Sequence, residues 1–153
     1  MEKGLKQLYD FKKKYPRTIA WRLKANYSIV KKHMNDDEKI LYVFAAQKSE
    51  SFWDIFSTAV VILTDKRFII GRKRVIFGYF YDSVTPDMFN DFNIKAGLIW
   101  GKLILDTVKE VLIFTKIQKK ALIELEDVLS KYMIDYNEKH PELRRKNHVK
   151  TGM

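Results

Sequence analysis

The chain has 153 residues, with 29 Lys and Arg against 19 Asp and Glu, a formal net charge of +10 and 46% hydrophobic residues. This length suits one domain with an appendage, and the apolar fraction excludes a disordered chain. The absence of cysteine excludes disulfides, thiolate metal sites and cysteine nucleophiles, and it fits a cytoplasmic location. No apolar run approaches the roughly 18 residues that a membrane-spanning helix needs.

The positive charge is unevenly distributed. Residues 1–35 hold ten basic and two acidic residues, a net of +8, whereas residues 36–116 hold eleven of each sign. The segment 117–153 holds eight basic and six acidic residues, and most of its excess lies in the tail. This pattern predicts a basic N-terminal extension (1–37), a neutral domain (38–138) and a flexible basic tail (139–153).

The N-terminal extension reads as two helices. Residues 3–14 form an amphipathic pattern that ends near Pro16. Over residues 17–34 the apolar side chains recur at spacings of three and four, from Ile19 to Met34, which predicts a second helix.

From residue 40 the sequence changes to short runs rich in Val, Ile, Phe, Tyr and Trp. Turn-like residues separate them, notably at 64–66, 71–73, 83–87, 96–97 and 106–109. Seven strands are predicted, at Ile40–Ala46, Thr58–Leu63, Arg67–Ile70, Val75–Tyr81, Phe89–Ile94, Leu98–Leu105 and Val111–Lys116. A wide apolar stripe over 118–138 then predicts a helix that must pack on the sheet. The result is an antiparallel meander that closes or nearly closes into a barrel.

This order, together with several local motifs, resembles a known family. The motifs are the apolar run and polar turn over 59–70, Gly78-Tyr79, Asn90-Asp91, residues 97–102 and the turn at 106–110. They are similar to pleckstrin-homology (PH)-like domains of bacteria, in particular the YokE-like group. The resemblance implies an α+β, mainly β fold: a seven-stranded antiparallel bent barrel capped by a C-terminal helix, with an N-terminal two-helix extension. It also implies a binding or scaffolding module.

Catalytic and metal-binding motifs are missing from the sequence. His33, His140 and His148 are scattered, and no histidine pair has the spacing of a helical metal site. Phosphate-binding glycine loops and nucleophile elbows are absent as well. The carboxylates between Asp82 and Asp91 are typical of solvated turns. We therefore expect a non-enzymatic protein without a cofactor or a metal.

Two connections in a PH-like barrel lie side by side at its open end, and the resemblance makes them a candidate ligand or membrane site. Aromatic side chains there could enter a lipid interface, and cations could pair with anionic headgroups. The alternative is that the aromatics pack back on the core and the cations form a solvated turn. The strand Thr58–Leu63 lacks the basic residues of phosphoinositide binders, and Glu50 and Asp54 would repel phosphate. The candidate residues are Lys48, Phe52, Trp53, Phe56, Arg72, Lys73 and Arg74.

A second candidate surface lies on the N-terminal helices. A basic amphipathic helix can bind an anionic membrane, a protein groove or nucleic-acid phosphates. It can also pack its stripe on the barrel and expose its lysines to water. We therefore expect a protein or membrane partner, with nucleic acid as the alternative, and leave the oligomeric state open. The residues are Lys12, Lys13, Lys14, Arg17, Arg22 and Lys24.

Overall fold

The computed structural model describes residues 1–49 and 56–142. Within them the predicted order of helices and strands is confirmed. The helices are α1 (Lys3–Lys14), α2 (Leu23–His33) and α3 (Lys119–Lys139). The strands are β1 (Ile40–Gln47), β2 (Thr58–Thr64), β3 (Phe68–Lys73), β4 (Tyr79–Val84), β5 (Phe89–Ala96), β6 (Trp100–Thr107) and β7 (Val111–Gln118).

The seven strands form one antiparallel sheet in the order β4-β3-β2-β1-β7-β6-β5. The central strands β1 and β7 are joined at the register pair Gln47–Thr115, which links the two meanders. The sheet curls so that Phe68 of β3 stacks on Phe89 of β5, with ring centroids 5.5 Å apart. β4 and β5 are the two outer strands of the order, so the predicted seven-stranded antiparallel sheet is a curled half-barrel that stays open between them.

Strand β2 is buried along its whole length because both faces of its part of the sheet are covered. Val61 and Leu63 face the barrel core, whereas Val60 and Ile62 belong to a second core on the outer face. Helices α1 and α2 cover that outer face, with Leu8 among the fully buried contacts. A strand buried on both sides loses the apolar–polar alternation, which explains the continuous run at 59–63.

Helix α3 closes the inner core. Leu122, Leu125 and Leu129 lie on its buried face and join the cluster that contains Phe114 and Leu103. The predicted stripe therefore packs on the sheet, as its width requires.

The second N-terminal helix is shorter than predicted, because residues 15–22 form a linker and α2 begins at Leu23. The Ile19 amide donates to Lys116 O at 3.0 Å, and the Gln47 side chain donates to Ile19 O at 2.9 Å. The Gln118 amide donates to the buried Thr18 hydroxyl at 2.9 Å. These bonds satisfy linker groups that a helix would otherwise pair internally. The linker thus fills the space where β1 and β7 separate.

Candidate functional site

One end of the barrel, here called the rim, is defined by the course of the inter-helix linker. The Trp100 indole donates to Arg17 O at 2.6 Å, which fixes the linker at the start of β6. The Trp21 amide donates to the Thr58 hydroxyl at 3.0 Å, at the start of β2. The linker therefore passes the ends of β6, β7, β1 and β2 in turn. The rim comprises residues 17–25, 48–49, 56–58, 72–80, 95–102 and 116–120.

The rim carries basic residues and, among these described residues, no Asp or Glu. The basic side chains are Arg17, Arg22, Lys24, Lys48, Arg72, Lys73, Arg74, Lys95, Lys102, Lys116, Lys119 and Lys120. By sequence, Glu50 and Asp54 belong to the β1–β2 connection, but they lie outside the described residues. The described carboxylates of residues 36–116 lie at or next to the opposite end, at Asp36, Asp37, Glu38, Asp65, Asp82, Asp87, Asp91, Asp106 and Glu110. Among the described residues of 36–116, the acids therefore lie at one end, where Lys39, Lys66, Arg67 and Lys109 accompany them, whereas the rim carries bases without acids.

Among the described residues of the rim, the β3–β4 hairpin carries the longest run of exposed apolar side chains. Val75, Ile76 and Phe77 are 70%, 79% and 83% exposed. The Arg74 amide donates to Gly78 O at 3.0 Å and closes the turn, in which Gly78 has a φ of +75°. A left-handed residue at the end of a turn favours glycine.

This hairpin corrects the sequence prediction. The turn predicted at 71–73 is wrong, because these residues continue β3 and pair with Phe80, Tyr81 and Tyr79 of β4. The strand predicted at Val75–Tyr81 is likewise wrong in its first half. β-branched and aromatic residues favour strands, but Gly78 supplies the conformation that the turn needs. The register shift of about three residues exposes apolar side chains that the sequence reading had placed in a strand.

Two of the predicted cations flank this tip. The guanidinium groups of Arg72 and Arg74 lie 4.6 Å and 4.1 Å from the centroid of the Phe80 ring. Neither forms an ion pair with a described carboxylate. The buried Nε of Arg72 has no hydrogen-bond partner among the described residues. The two guanidinium groups repel each other, and their cation–π contacts with Phe80 offset only part of this repulsion. An anion bound beside them would therefore be stabilised.

The remaining residues of the predicted loop site are placed as follows. The Lys48 amide donates to Ser57 O at 2.9 Å at the base of the β1–β2 connection, and the Lys73 amide donates to the Asn26 side chain. Phe56 is 72% exposed. Phe52 and Trp53 lie outside the described residues.

The β5–β6 turn on the rim was predicted from the sequence, but its apolar residues were not among the candidate site residues. Leu98 and Ile99 are 92% and 40% exposed and connect β5 to β6, so the strand predicted from Leu98 begins at Trp100. The Gly97 amide donates to Trp100 O at 2.8 Å across this turn. The two apolar residues after Gly97 indicate an exposed turn or the start of a strand equally well, so the sequence does not distinguish these two structures.

The basic residues of the N-terminal extension do not form one continuous surface. The Lys12 ammonium donates to the carbonyls of Pro16 and Thr18, and partial burial lowers its pKa. Lys14 pairs with Glu124 of α3 at 3.0 Å. These two cations are therefore engaged within the molecule. Lys13 and Lys24 are exposed on α1 and α2, and Arg17 and Arg22 lie on the rim.

The opposite end holds a polar network without the features of a catalytic site. The Arg67 guanidinium donates to Glu38 at 2.7 Å, to His33 O at 2.9 Å and to Ser83 at 3.0 Å. Thr64 donates to the second Glu38 oxygen at 2.7 Å. The network connects the ends of α2, β2, β3 and β4, so its role is to hold these elements together. Among the described residues, no group of three or more His, Asp and Glu side chains has the arrangement of a metal site.

Comparison with known proteins assigns the family. The model of the bacterial PH domain family matches residues 34–139, and the chain belongs to this family. PH-like domains are generally non-catalytic, and the specific functions of the related proteins are unknown. The narrower resemblance to the YokE-like group stays a prediction. A search of curated proteins finds no match.

Two solved structures are similar to this chain. One is a DUF1696 family protein with a pleckstrin-homology domain from Shewanella loihica PV-4, at 16% identity and a TM-score of 0.48, covering 72% of this chain and 91% of that one. The other is a pleckstrin homology domain from Shewanella amazonensis SB2B, at 14% identity and a TM-score of 0.47, covering 72% and 86%. In the described part of this chain, no helix has the length and hydropathy to cross a bilayer.

Proposed function

We propose that this protein is a non-enzymatic cytoplasmic module that binds reversibly to an anionic membrane surface through its rim. The observation that carries the proposal is the exposed apolar tip Val75–Phe77 beside the guanidinium groups of Arg72 and Arg74. Apolar side chains at the end of a basic surface match the two layers of a bilayer interface, the acyl boundary and the anionic headgroups.

The magnitudes favour a combined mechanism. Fully burying one Val, Ile or Phe side chain contributes about 1.5–3 kcal/mol, and each cation near an anionic surface adds about 1 kcal/mol. Neither contribution alone gives stable attachment once the loss of translational freedom is subtracted. A tip of three apolar side chains with several cations around it reaches the range of reversible binding.

The binding mode is not the stereospecific recognition of phosphoinositides. Strand β2 contributes no basic residue, and both of its faces are buried. We infer that the rim responds to the density of negative charge and to access to the acyl boundary. A phosphatidylglycerol membrane supplies both.

Nucleic acid stays the alternative partner. The basic surface of residues 1–35 is smaller than their charge of +8 suggests, because Lys12 donates to a backbone carbonyl and Lys14 forms an ion pair with Glu124. Phe77, the most exposed side chain of the tip, is an aromatic ring that could stack on a base, whereas Val75 and Ile76 offer no ring. A protein partner is the third possibility, and binding to neither vesicles nor oligonucleotides in the experiment below would favour it.

Co-sedimentation with phosphatidylglycerol-containing vesicles at low salt tests the proposal, with phosphatidylcholine vesicles as the neutral comparison. We expect the double variant Ile76→Ser/Phe77→Ser to bind at least about tenfold more weakly, the factor that 1.4 kcal/mol represents. Arg72→Glu/Arg74→Glu should weaken binding further and reduce its salt dependence. The matched control is Val108→Ser, which alters an exposed apolar turn at the opposite end and should bind normally.

Charge reversal at Lys12, Lys13 and Lys14 separates the two candidate basic surfaces. If those changes abolish pelleting and the hairpin variants do not, the membrane surface lies on α1 and the proposal is wrong. Absence of pelleting with anionic vesicles would also overturn it. Tight, steeply salt-dependent binding to an oligonucleotide that ignores Phe77→Ser, without vesicle binding, would establish the nucleic-acid alternative.

A further inference from the structure

The turn between the linker and α2 has an unusual backbone. Arg22 has φ 51° and ψ 40°, in the left-handed region that favours glycine and asparagine. The residue before it, Trp21, is 51% exposed. A strained backbone at a residue with a large side chain persists only where its surroundings fix it, and such positions cluster at functional sites.

Several hydrogen bonds hold this turn in place. The Trp21 amide donates to Thr58, and the Asn26 side chain donates to Trp21 O at 3.2 Å. Asn26 is 1% exposed, and its side-chain oxygen accepts from the Lys73 amide at 2.8 Å. The same buried amide therefore ties the turn to the last residue of β3, directly below the exposed hairpin tip.

The turn places a cation at the base of the β3–β4 hairpin and an exposed aromatic ring beside Lys12 of α1. The Arg22 guanidinium donates to Arg74 O at 3.4 Å, so it lies at the base of the tip. The Lys12 ammonium is 5.8 Å from the centroid of the Trp21 ring. Arg22 and Lys24 form no ion pair with a described carboxylate. An exposed indole beside arginine is well suited to the headgroup level of a bilayer.

We propose that the Trp21–Arg22 turn is a second membrane anchor, which enters the lipid interface alongside Val75–Phe77. This inference rests on the proposed membrane binding through the rim and adds the N-terminal extension to it. Trp21 contributes an amphipathic ring to the interface, and Arg22 contacts lipid phosphate with its planar donor group. Because the turn and the hairpin are hydrogen-bonded to each other, the second anchor binds without a separate cost of ordering.

The test combines vesicle affinity with stability. Arg22→Gly removes the cation and relieves the backbone conformation, so the melting temperature should stay unchanged or rise while affinity for phosphatidylglycerol vesicles falls about fivefold or more. Trp21→Ser should weaken vesicle binding by about tenfold. The matched control is Tyr9→Ser, an exposed aromatic on α1 outside the rim, which should leave affinity unchanged.

A fluorescence measurement locates the ring. The difference between the emission of the wild-type protein and that of Trp21→Phe isolates Trp21 and leaves Trp53 and Trp100 in place. On phosphatidylglycerol vesicles this difference spectrum should shift to the blue, and lipids brominated on their acyl chains should quench it. Vesicle binding that depends on Phe77 but leaves this emission and the affinity of both turn variants unchanged overturns the second anchor while the proposed function stands. Absence of vesicle binding by the wild-type protein overturns both.

Discussion

Two hydrogen-bonded carboxylates, Glu38 and Glu124, show how single residues hold the elements of this fold together. Glu38 accepts hydrogen bonds from Arg67 and Thr64, and its side chain is fully buried. Burial acts to raise the pKa of the Glu38 carboxyl, but the hydrogen bonds from Arg67 and Thr64 outweigh it, so the pKa lies below its usual value. The charged pair is therefore the native state at neutral pH.

Glu38→Gln keeps the shape of the side chain but removes its charge. Arg67 then stays largely buried without its counter-ion, and we expect a loss of about 3 kcal/mol in the free energy of unfolding. Urea denaturation at pH 7 measures the change. A loss below about 0.5 kcal/mol would mean that the ion pair contributes nothing net. Lys66→Ala, which removes an exposed ion pair with Asp37, is the control and should change little.

Glu124 has the corresponding role between α3, α1 and β1. It accepts from the hydroxyl groups of Tyr15 at 2.6 Å and Tyr42 at 2.9 Å, and Lys14 donates to its other oxygen. Burial acts to raise the pKa of the Glu124 carboxyl, and these hydrogen bonds outweigh it, so the pKa is lowered. The aromatic end of α1 is therefore attached to the closing helix by a charged acceptor.

The lowered pKa of Glu124 makes this attachment depend on pH. A carboxyl with a lowered native pKa contributes stability above its unfolded pKa of about 4.3, and this contribution is lost as the pH falls through the native value. Glu124→Gln should cost about 1.5 kcal/mol at pH 7 and progressively less below pH 4. Thermal unfolding of both proteins across this pH range measures the gap, and a gap that stays constant would contradict the prediction.

At the scale of the element, the hairpins decide where the candidate site lies. The apolar residues 75–77 and 98–99 are exposed in the β3–β4 and β5–β6 turns. Strands β3 and β5 therefore end before these residues, although their side chains favour strands. The stems stay in register because the inner faces are packed in the core. The tips are consequently free to vary without loss of stability, as a binding surface requires.

The start of β6 illustrates the opposite case, in which packing leaves no room. A Cβ added at Gly101 would lie 2.5 Å from Lys95 O and 2.4 Å from Leu122 of α3. We expect Gly101→Ala to cost about 2 kcal/mol, because the backbone of β5 cannot move away cheaply. Gly78→Ala provides the comparison, since it meets no atom within 4 Å and has only the left-handed backbone penalty of about 1 kcal/mol. Equal melting temperatures for Gly101→Ala and the wild type would refute the close contact.

At the scale of the whole molecule, the N-terminal helices are part of the globular core. They bury the outer face of the sheet, including Val43, Val60, Ile62 and Ile69. The structure therefore shows these helices packed on the barrel, which was one of the two arrangements that the sequence allowed. The predicted boundary at residue 37, between an N-terminal extension and a domain that folds by itself, stays a prediction.

Deleting residues 1–35 tests that division. The deletion exposes the outer face of the sheet, so we expect a chain that aggregates or binds a hydrophobic dye and lacks a cooperative thermal transition. A truncated chain that remains monomeric and unfolds cooperatively at the wild-type temperature would show that the barrel is an independent domain. Removal of residues 143–153 is the matched control and should leave the transition in place.

Local pattern alone was sufficient to predict the element order, the closing helix and the family. Strand composition, helical spacing and turn residues act over short distances, and the element order that they predict survives in the folded chain, although the turn predicted at 71–73 and the helix predicted over 17–22 do not. The sequence also singles out the cations Arg72, Lys73 and Arg74, because three consecutive basic residues are visible in any register, and their role in binding stays a prediction. Lys48 and Phe56 followed from the same resemblance.

The exposed tips, the linker and the separation of charge were decided by the tertiary structure. A three-residue shift in a hairpin turn depends on which side chains fit the core, and the sequence around Val75 satisfies either register. The linker is not helical because its polar groups form hydrogen bonds with Lys116 and Gln118 of β7. The net charge of +10 likewise conceals an arrangement. Among the described residues of the central segment, the rim carries bases and no acids, whereas the other end carries the acids together with Lys39, Lys66, Arg67 and Lys109, since antiparallel strands return distant residues to the same edge.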